Sequence, residues 1–110
     1  MPLLEKVRIE VYLPDLPKQT YQDLLNVLDQ EFTYTFGGCT IIRGLNGSYL
    51  STPGTIIQDR INIIFTDIPF AFNENFEKVS KYTDELRMAA FAALEEETVL
   101  IVAYQIYHSE

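Results

Sequence analysis

Residues 36–70, FGGCTIIRGLNGSYLSTPGTIIQDRINIIFTDIPF, decide the fold. They read as one long β-hairpin. Two β-rich arms, Cys39–Ser51 and Thr55–Thr66, flank Thr52-Pro53-Gly54, where proline fixes φ and glycine accepts a positive φ. Asn46-Gly47 is a competing tight turn of the kind two-residue hairpins favour. The Thr52–Gly54 turn ranks above it because it leaves arms of comparable length. Gly44 to Gly47 then form a bulge or kink, where a sheet bends or a ligand approaches closely. The second arm alternates Ile57, Asp59, Ile61, Ile63 and Phe65 against Ile56, Gln58, Arg60, Asn62 and Ile64. Its stretch Ile61–Phe65 is apolar enough for a central strand.

One strand and one helix precede this hairpin. Glu5–Leu13 points Val7, Ile9, Val11 and Leu13 one way and Lys6, Arg8, Glu10 and Tyr12 the other, the period-two pattern of a half-buried strand. Pro14 and Pro17 end it. Lys18–Phe32 then carries Tyr21, Leu24, Leu25, Leu28 and Phe32 at helical spacing, with Thr20 a candidate cap. Thr33–Phe36 is β-branched and aromatic, which suits the start of the next strand, and Gly37-Gly38 suits a turn or bulge there.

One helix and one strand follow. Asn73 or Asn75 caps a helix with Phe76, Val79, Thr83, Leu86, Ala90 and Leu94 on one face, expected to stop by Glu96 because Glu95–Glu97 opposes the helix dipole. Val99–Tyr107 is a strand apolar on both sides. Leu100, Val102, Tyr104 and Ile106 form the row expected under the helices, and Val99, Ile101 and Ala103 the row expected outward. The order is β-α-β-β-α-β, and right-handed crossovers place both helices on one face of a four-stranded antiparallel sheet. This α+β arrangement resembles the ferredoxin-like plait across nearly the whole chain, 1–110, as a single domain. A fold that hosts so many activities carries none of them across.

Composition narrows the function classes. The chain has 110 residues, 47% of them hydrophobic, enough for a real core without staples. Its formal net charge of −8 opposes non-specific attraction to nucleic acid or anionic lipid. No apolar run approaches the ~20 residues a membrane helix needs. Lys6 and Arg8 arrive before any signal-peptide core could develop, so a cytoplasmic location is expected. The single cysteine, Cys39, excludes an internal disulfide framework and an all-cysteine metal site.

The residue types that carry chemistry are sparse. His108, the one histidine, sits at the C-terminus, where nothing orients an imidazole. Cys39 has no histidine nearby in sequence and reads as a small apolar residue. No metal-ligand spacing occurs, and no metal or cofactor is expected. RNA-recognition modules of the plait type stack bases on aromatics of the two central strands. Here Tyr12 has no counterpart, because Arg60, Asn62 and Ile64 stand where an aromatic-rich pattern belongs. Met1-Pro2 resembles the start of tautomerases that use an N-terminal proline as base. Leu3-Leu4-Glu5 intervene before the first strand, however, and a second βαβ repeat is missing.

What remains is a surface. In a plait one sheet face stays open, and here it is expected to present Arg8, Tyr12, Arg60, Asn62, Ile64, Val99, Ile101 and Ala103. A contiguous apolar patch of that kind points to a homodimer. Arg8, Arg43 and Arg60 with Gly44, Asn46 and Gly47 are a candidate cradle for a small anion, since guanidinium forks match carboxylate and phosphate. The competing assignment pairs the arginines with Glu10 and Asp59 across strands. The reading is a non-enzymatic interaction or small-ligand-binding module. Its alternative is a small enzyme with an apolar pocket between paired sheets lined by Tyr12, Ile64 and Tyr104.

Overall fold

The computed structural model describes residues 3–50, 53–94 and 99–109. Thr52 of the expected turn, Pro2 and the Glu95–Glu97 run lie outside the described residues. The elements are β1 (Leu4–Pro14), α1 (Gln19–Phe36), β2 (Thr40–Leu50), β3 (Ile56–Ile68), a 3-10 turn (Asn73–Asn75), α2 (Phe76–Leu94) and β4 (Leu100–His108). They form a four-stranded sheet in the order β2-β3-β1-β4, with every neighbouring pair antiparallel.

β1 sets the polarity of the sheet. Val7, Ile9, Val11 and Leu13 are all at most 1% exposed and pack against Tyr21, Leu24, Leu25, Leu28 and Phe32 of α1 and Val79, Leu86, Ala90 and Leu94 of α2. Such a side chain contributes ~1.5–3 kcal/mol on full burial, so this row fixes the register of both its neighbours. Leu13, Val11, Ile9 and Val7 stand opposite Asn62, Ile64, Thr66 and Ile68 of β3, and Val11 and Ile9 opposite Ile101 and Ala103 of β4. Those residues therefore share the helix-covered face.

This placement corrects the expected outward set. Asn62 and Ile64 are buried, Val99 is buried, and Ile101 and Ala103 are half-buried against the core. The open face instead carries Ile61, Ile63, Phe65 and Asp67 of β3 and Leu100, Val102, Tyr104 and Ile106 of β4. The alternating rows themselves stand as read; their facing is inverted. The polar members of the covered row resemble solvent-facing residues because their partners come from connecting segments and from the bulge in β2. Thr66 Oγ1 donates to Gly38 O at 2.7 Å, and Asn62 accepts from Gly44 N at 2.9 Å while donating to Asp15 Oδ1 at 3.3 Å. A buried polar group supplied with partners costs little.

α1 runs four residues past its expected end. Phe36 lies 6.2 Å from Phe32 and edge-on to Tyr82 at 5.2 Å, so tertiary packing outweighs the β propensity of Thr33–Phe36. Gly37 ends the helix in the left-handed conformation at φ 93°, its N–H donating to Thr33 O at 3.0 Å. The helix starts after Lys18 without a side-chain cap, so Thr20 lies inside its first turn.

In the hairpin, Leu50 pairs with Ile56, and the connection includes Pro53 and Gly54, the latter at φ 90°. Asn46 and Gly47 stay within the ladder opposite Arg60 and Asp59, which rules out the tight-turn alternative. The register shifts between Ile42 and Leu45, placing the bulge at Arg43-Gly44 with Gly44 at φ 69°. β1 pairs with β3 no further than Pro14 opposite Ile61, so the hairpin beyond Ile61 projects as a two-stranded arm. Leu50 and Ile56 on that arm are each 70% exposed.

Candidate functional site

The open sheet face is the candidate site. Ile42 and Leu45 of β2 stand beside Ile61 and Ile63, and Tyr12 of β1 beside Leu100, giving one apolar surface across all four strands. Among the described residues no helix or loop covers it. The alternation that buries Val7, Ile9, Val11 and Leu13 necessarily sends Arg8, Glu10 and Tyr12 into the middle of this surface.

Those polar groups are paired sideways along the sheet. Arg8 forks onto Asp67 of β3, Nε donating to Oδ1 at 2.8 Å and Nη2 to Oδ2 at 3.0 Å. Its guanidinium carbon also lies 4.3 Å from the Phe65 ring centroid. The hydrogen bond to Asp67 holds the Arg8 pKa above its ordinary value, with burial opposing. Glu10 accepts from two phenols, Tyr12 at 2.8 Å and Tyr104 at 2.5 Å. Those hydrogen bonds raise both tyrosine pKa values, because losing the phenolic proton would bring two anions together.

The nine residues singled out from sequence do not form one site. Arg8 and Tyr12 lie on the open face as expected. Arg60 faces the helix side, its guanidinium 3.5 Å from Asp15, and Arg43 is exposed in the bulge with no ion pair among the described residues. The anion cradle is therefore not assembled, since Arg8 is paired with Asp67 on one face and Arg60 sits on the other. The partners are Asp67 and Asp15 rather than Glu10 and Asp59. Ile64 lies on the opposite face from Tyr12 and Tyr104, so these three cannot line a common pocket.

Ile63, Phe65 and Asp67 were not singled out by sequence reasoning, and Glu10 was named only as a partner for an arginine. Their signal was present in the alternation, but reading it needed the register of β3 against β1.

The chain's other reactive groups are quiet. Cys39 Sγ donates to Asp29 Oδ1 at 3.1 Å, and burial followed by that carboxylate pushes the thiol pKa up, away from a nucleophilic thiolate. His108 Nδ1 has Ser109 O at 3.3 Å. Among the described residues no three His, Cys, Asp or Glu side chains group to hold a metal. Among the described residues no helix is long and apolar enough to cross a membrane.

No protein-family model matches the chain, and no curated protein matches it in sequence. Solved structures do match it in three dimensions. CutA1 from Oryza sativa superposes with a TM-score of 0.61 at 15% identity, covering 98% of this chain and 85% of that one. The divalent cation tolerance protein (Cut A1) from Thermus thermophilus gives 0.59 at 16% identity, covering 97% and 88%. With the element order and sheet order above, this decides the architecture. The fold is the ferredoxin-like plait. CPII from Thiomonas intermedia, a structure bound to ADP, AMP and acetate, is also similar, with a TM-score of 0.51 at 17% identity over 100% of this chain and 94% of that one. At these identities the likeness concerns the fold alone.

Proposed function

We propose that the protein is a non-enzymatic cytosolic module that pairs with a second copy of itself through the open sheet face and holds a small ligand. The observation that carries the reading is the apolar surface formed by Ile42, Ile61, Ile63, Phe65, Leu100 and Val102 with no cover among the described residues. Four strands at ~4.8 Å spacing and about eight residues at ~3.3 Å give roughly 500 Å² in projection. That lies in the upper part of the range of about 300–600 Å² for the largest patch on a typical monomer, a size that is often functional. It also approaches the ~800 Å² per partner of a standard interface. At the centre of this face Arg8 already pairs with Asp67, and Glu10 already accepts from Tyr12 and Tyr104, so a second copy need not supply those partners. Ligand holding draws on the fold neighbour bound to ADP, AMP and acetate.

Native mass spectrometry and light scattering on the purified protein test the reading. The wild type is expected as a dimer, and extra mass on it would give the ligand's class. Ile63→Glu places a charge at the centre of the face and is expected to yield a folded monomer. A wild-type monomer at tens of micromolar, or an Ile63→Glu variant that associates as well as the parent, would overturn it.

A further inference from the structure

On the helix side of the sheet, away from the open face, the end of α1, the end of β3 with the segment after it, and the first turns of α2 leave a pocket of about 210 Å³. Its walls are Phe36, Ile68, Phe70, Val79 and Tyr82. Val79 and Ile68 are 3% and 7% exposed and form the floor, while the rings of Phe36, Phe70 and Tyr82 are half-buried around it. These rings are held in place. Phe36 and Tyr82 meet edge to face at 85°, and Tyr82 Oη donates to Glu31 Oε1 at 3.0 Å. Phe70 N donates to Ile68 O at 2.8 Å, turning the chain so that Phe70 faces α2. An apolar pocket whose walls need no rearrangement loses little affinity to ordering.

The one charged lining residue is Lys78, in the first turn of α2. It makes no ion pair among the described residues, although the chain carries twice as many acidic as basic side chains. The nearby carboxylate of Glu31 already accepts from Thr35 as well as Tyr82, each at about 3 Å. Glu31 keeps its negative charge, its donors being neutral hydroxyls, but it lies outside the pocket lining, where the one charge is that of Lys78 on a stem whose methylenes extend the apolar wall.

We propose that this pocket binds a small hydrophobic monocarboxylate, one aromatic ring or branched acyl chain long, with its carboxylate on Lys78. The size fits: an apolar cavity of about 150 Å³ takes one benzene ring, and the remainder here admits a carboxyl group. A ligand of so few atoms binds at roughly millimolar Kd. The pocket does not involve the open face, so the site stands or falls independently of self-association.

Amide chemical-shift titrations of the full chain with benzoate and with neutral benzyl alcohol test it. Benzoate is expected to give saturable shifts at Phe36, Ile68, Phe70, Val79 and Tyr82 at about 1 mM. Lys78→Met, at an exposed position, should weaken benzoate about 1.5- to 5-fold and leave benzyl alcohol unchanged, the range of a solvent-accessible ion pair. Thr35→Trp, also exposed, should close the mouth and abolish both. Benzoate shifts that fail to saturate by about 20 mM, that map elsewhere, or that survive Thr35→Trp would overturn the site. Equal binding of the two ligands, or indifference to Lys78→Met, would overturn the carboxylate assignment.

Discussion

On the covered face of the sheet, Val7, Ile9, Val11, Leu13, Ile64 and Ile68 lie under two helices, none more than 7% exposed. On the opposite face, Ile61, Ile63, Phe65, Val102 and Ile106 alternate with them along the same strands and lie under nothing among the described residues. Both faces include polar side chains, and the way these are satisfied separates the two. Asn62 and Thr66 on the covered face depend on Asp15 and Gly38 in connecting segments and on Gly44 in the bulge of β2. Arg8 and Glu10 on the open face take partners from neighbouring strands, Asp67 and Tyr104, and from Tyr12 two residues along. A face satisfied from connecting segments and a bulge is closed by its own chain. A face satisfied laterally stays flat, and another molecule that covers it need not supply partners for the groups already paired along the sheet.

The sharpest way to break that contrast is to remove the same atoms from each face. Ile63 and Ile64 are adjacent in sequence and differ only in which side they take. Ile64→Ala, at 0% exposure, should cost about 2–5 kcal/mol in urea unfolding, the range for emptying a well-packed core position. Ile63→Ala should cost less than about 1.5 kcal/mol in dilute protein. Its penalty should grow as protein concentration rises, because association stabilises the folded state by mass action. Equal, concentration-independent costs at the two positions would mean that the open face is covered from within the chain.

How much of this was legible in the sequence divides along the same line. The element order, the long hairpin with its Pro53-Gly54 connection, the bulge near Gly44 and the two alternating rows of β3 and β4 follow from local chemistry. Proline, glycine and period-two spacing act over a few residues, and nothing distant reverses them. Facing is not local. It depends on which row of β3 meets Val7–Leu13 of β1 in space, and a one-residue slip inverts the whole strand. Asn62 and Thr66 looked like solvent-facing residues because the groups that satisfy them lie 18, 28 and 47 residues away in sequence. The end of α1 was missed for a related reason. Phe36 is held helical by Tyr82, a partner that no window around Thr33–Phe36 contains.

A smaller effect probes the loop-dependent side. Gly44 sits in the bulge at φ 69°, and a Cβ built there would lie 2.8 Å from Arg60 Nη2. Gly44→Ala should cost about 1–2 kcal/mol, chiefly from forcing a left-handed backbone on alanine. The arginine is a flexible end and can move aside. Adding Arg60→Ala should therefore recover little of the loss in thermal unfolding. Full recovery would place the cost in side-chain crowding and leave the bulge without a conformational role.

The smallest effect concerns the lateral pairing itself. The phenols of Tyr12 and Tyr104 have raised pKa values, first because of their hydrogen bonds to Glu10. Their contribution to stability is fully present below the unfolded tyrosine value of about 10, and is lost as pH climbs through the higher folded values. Glu10→Gln keeps an acceptor but removes the charge, so both folded pKa values should fall back towards the ordinary one. In a near-ultraviolet phenolate titration, two of the seven tyrosines should ionise at lower pH than in the parent. The rise for Tyr82, which burial and Glu31 cause on the other side of the sheet, should stay where it was and serves as the internal reference. Stability should also decline less steeply with alkaline pH than in the parent. Unmoved titrations of Tyr12 and Tyr104 would mean that these phenols do not lean on Glu10. The Glu10 carboxylate would then lack donors as well as a counter-charge, and a second copy could cover it only at a larger cost in desolvation.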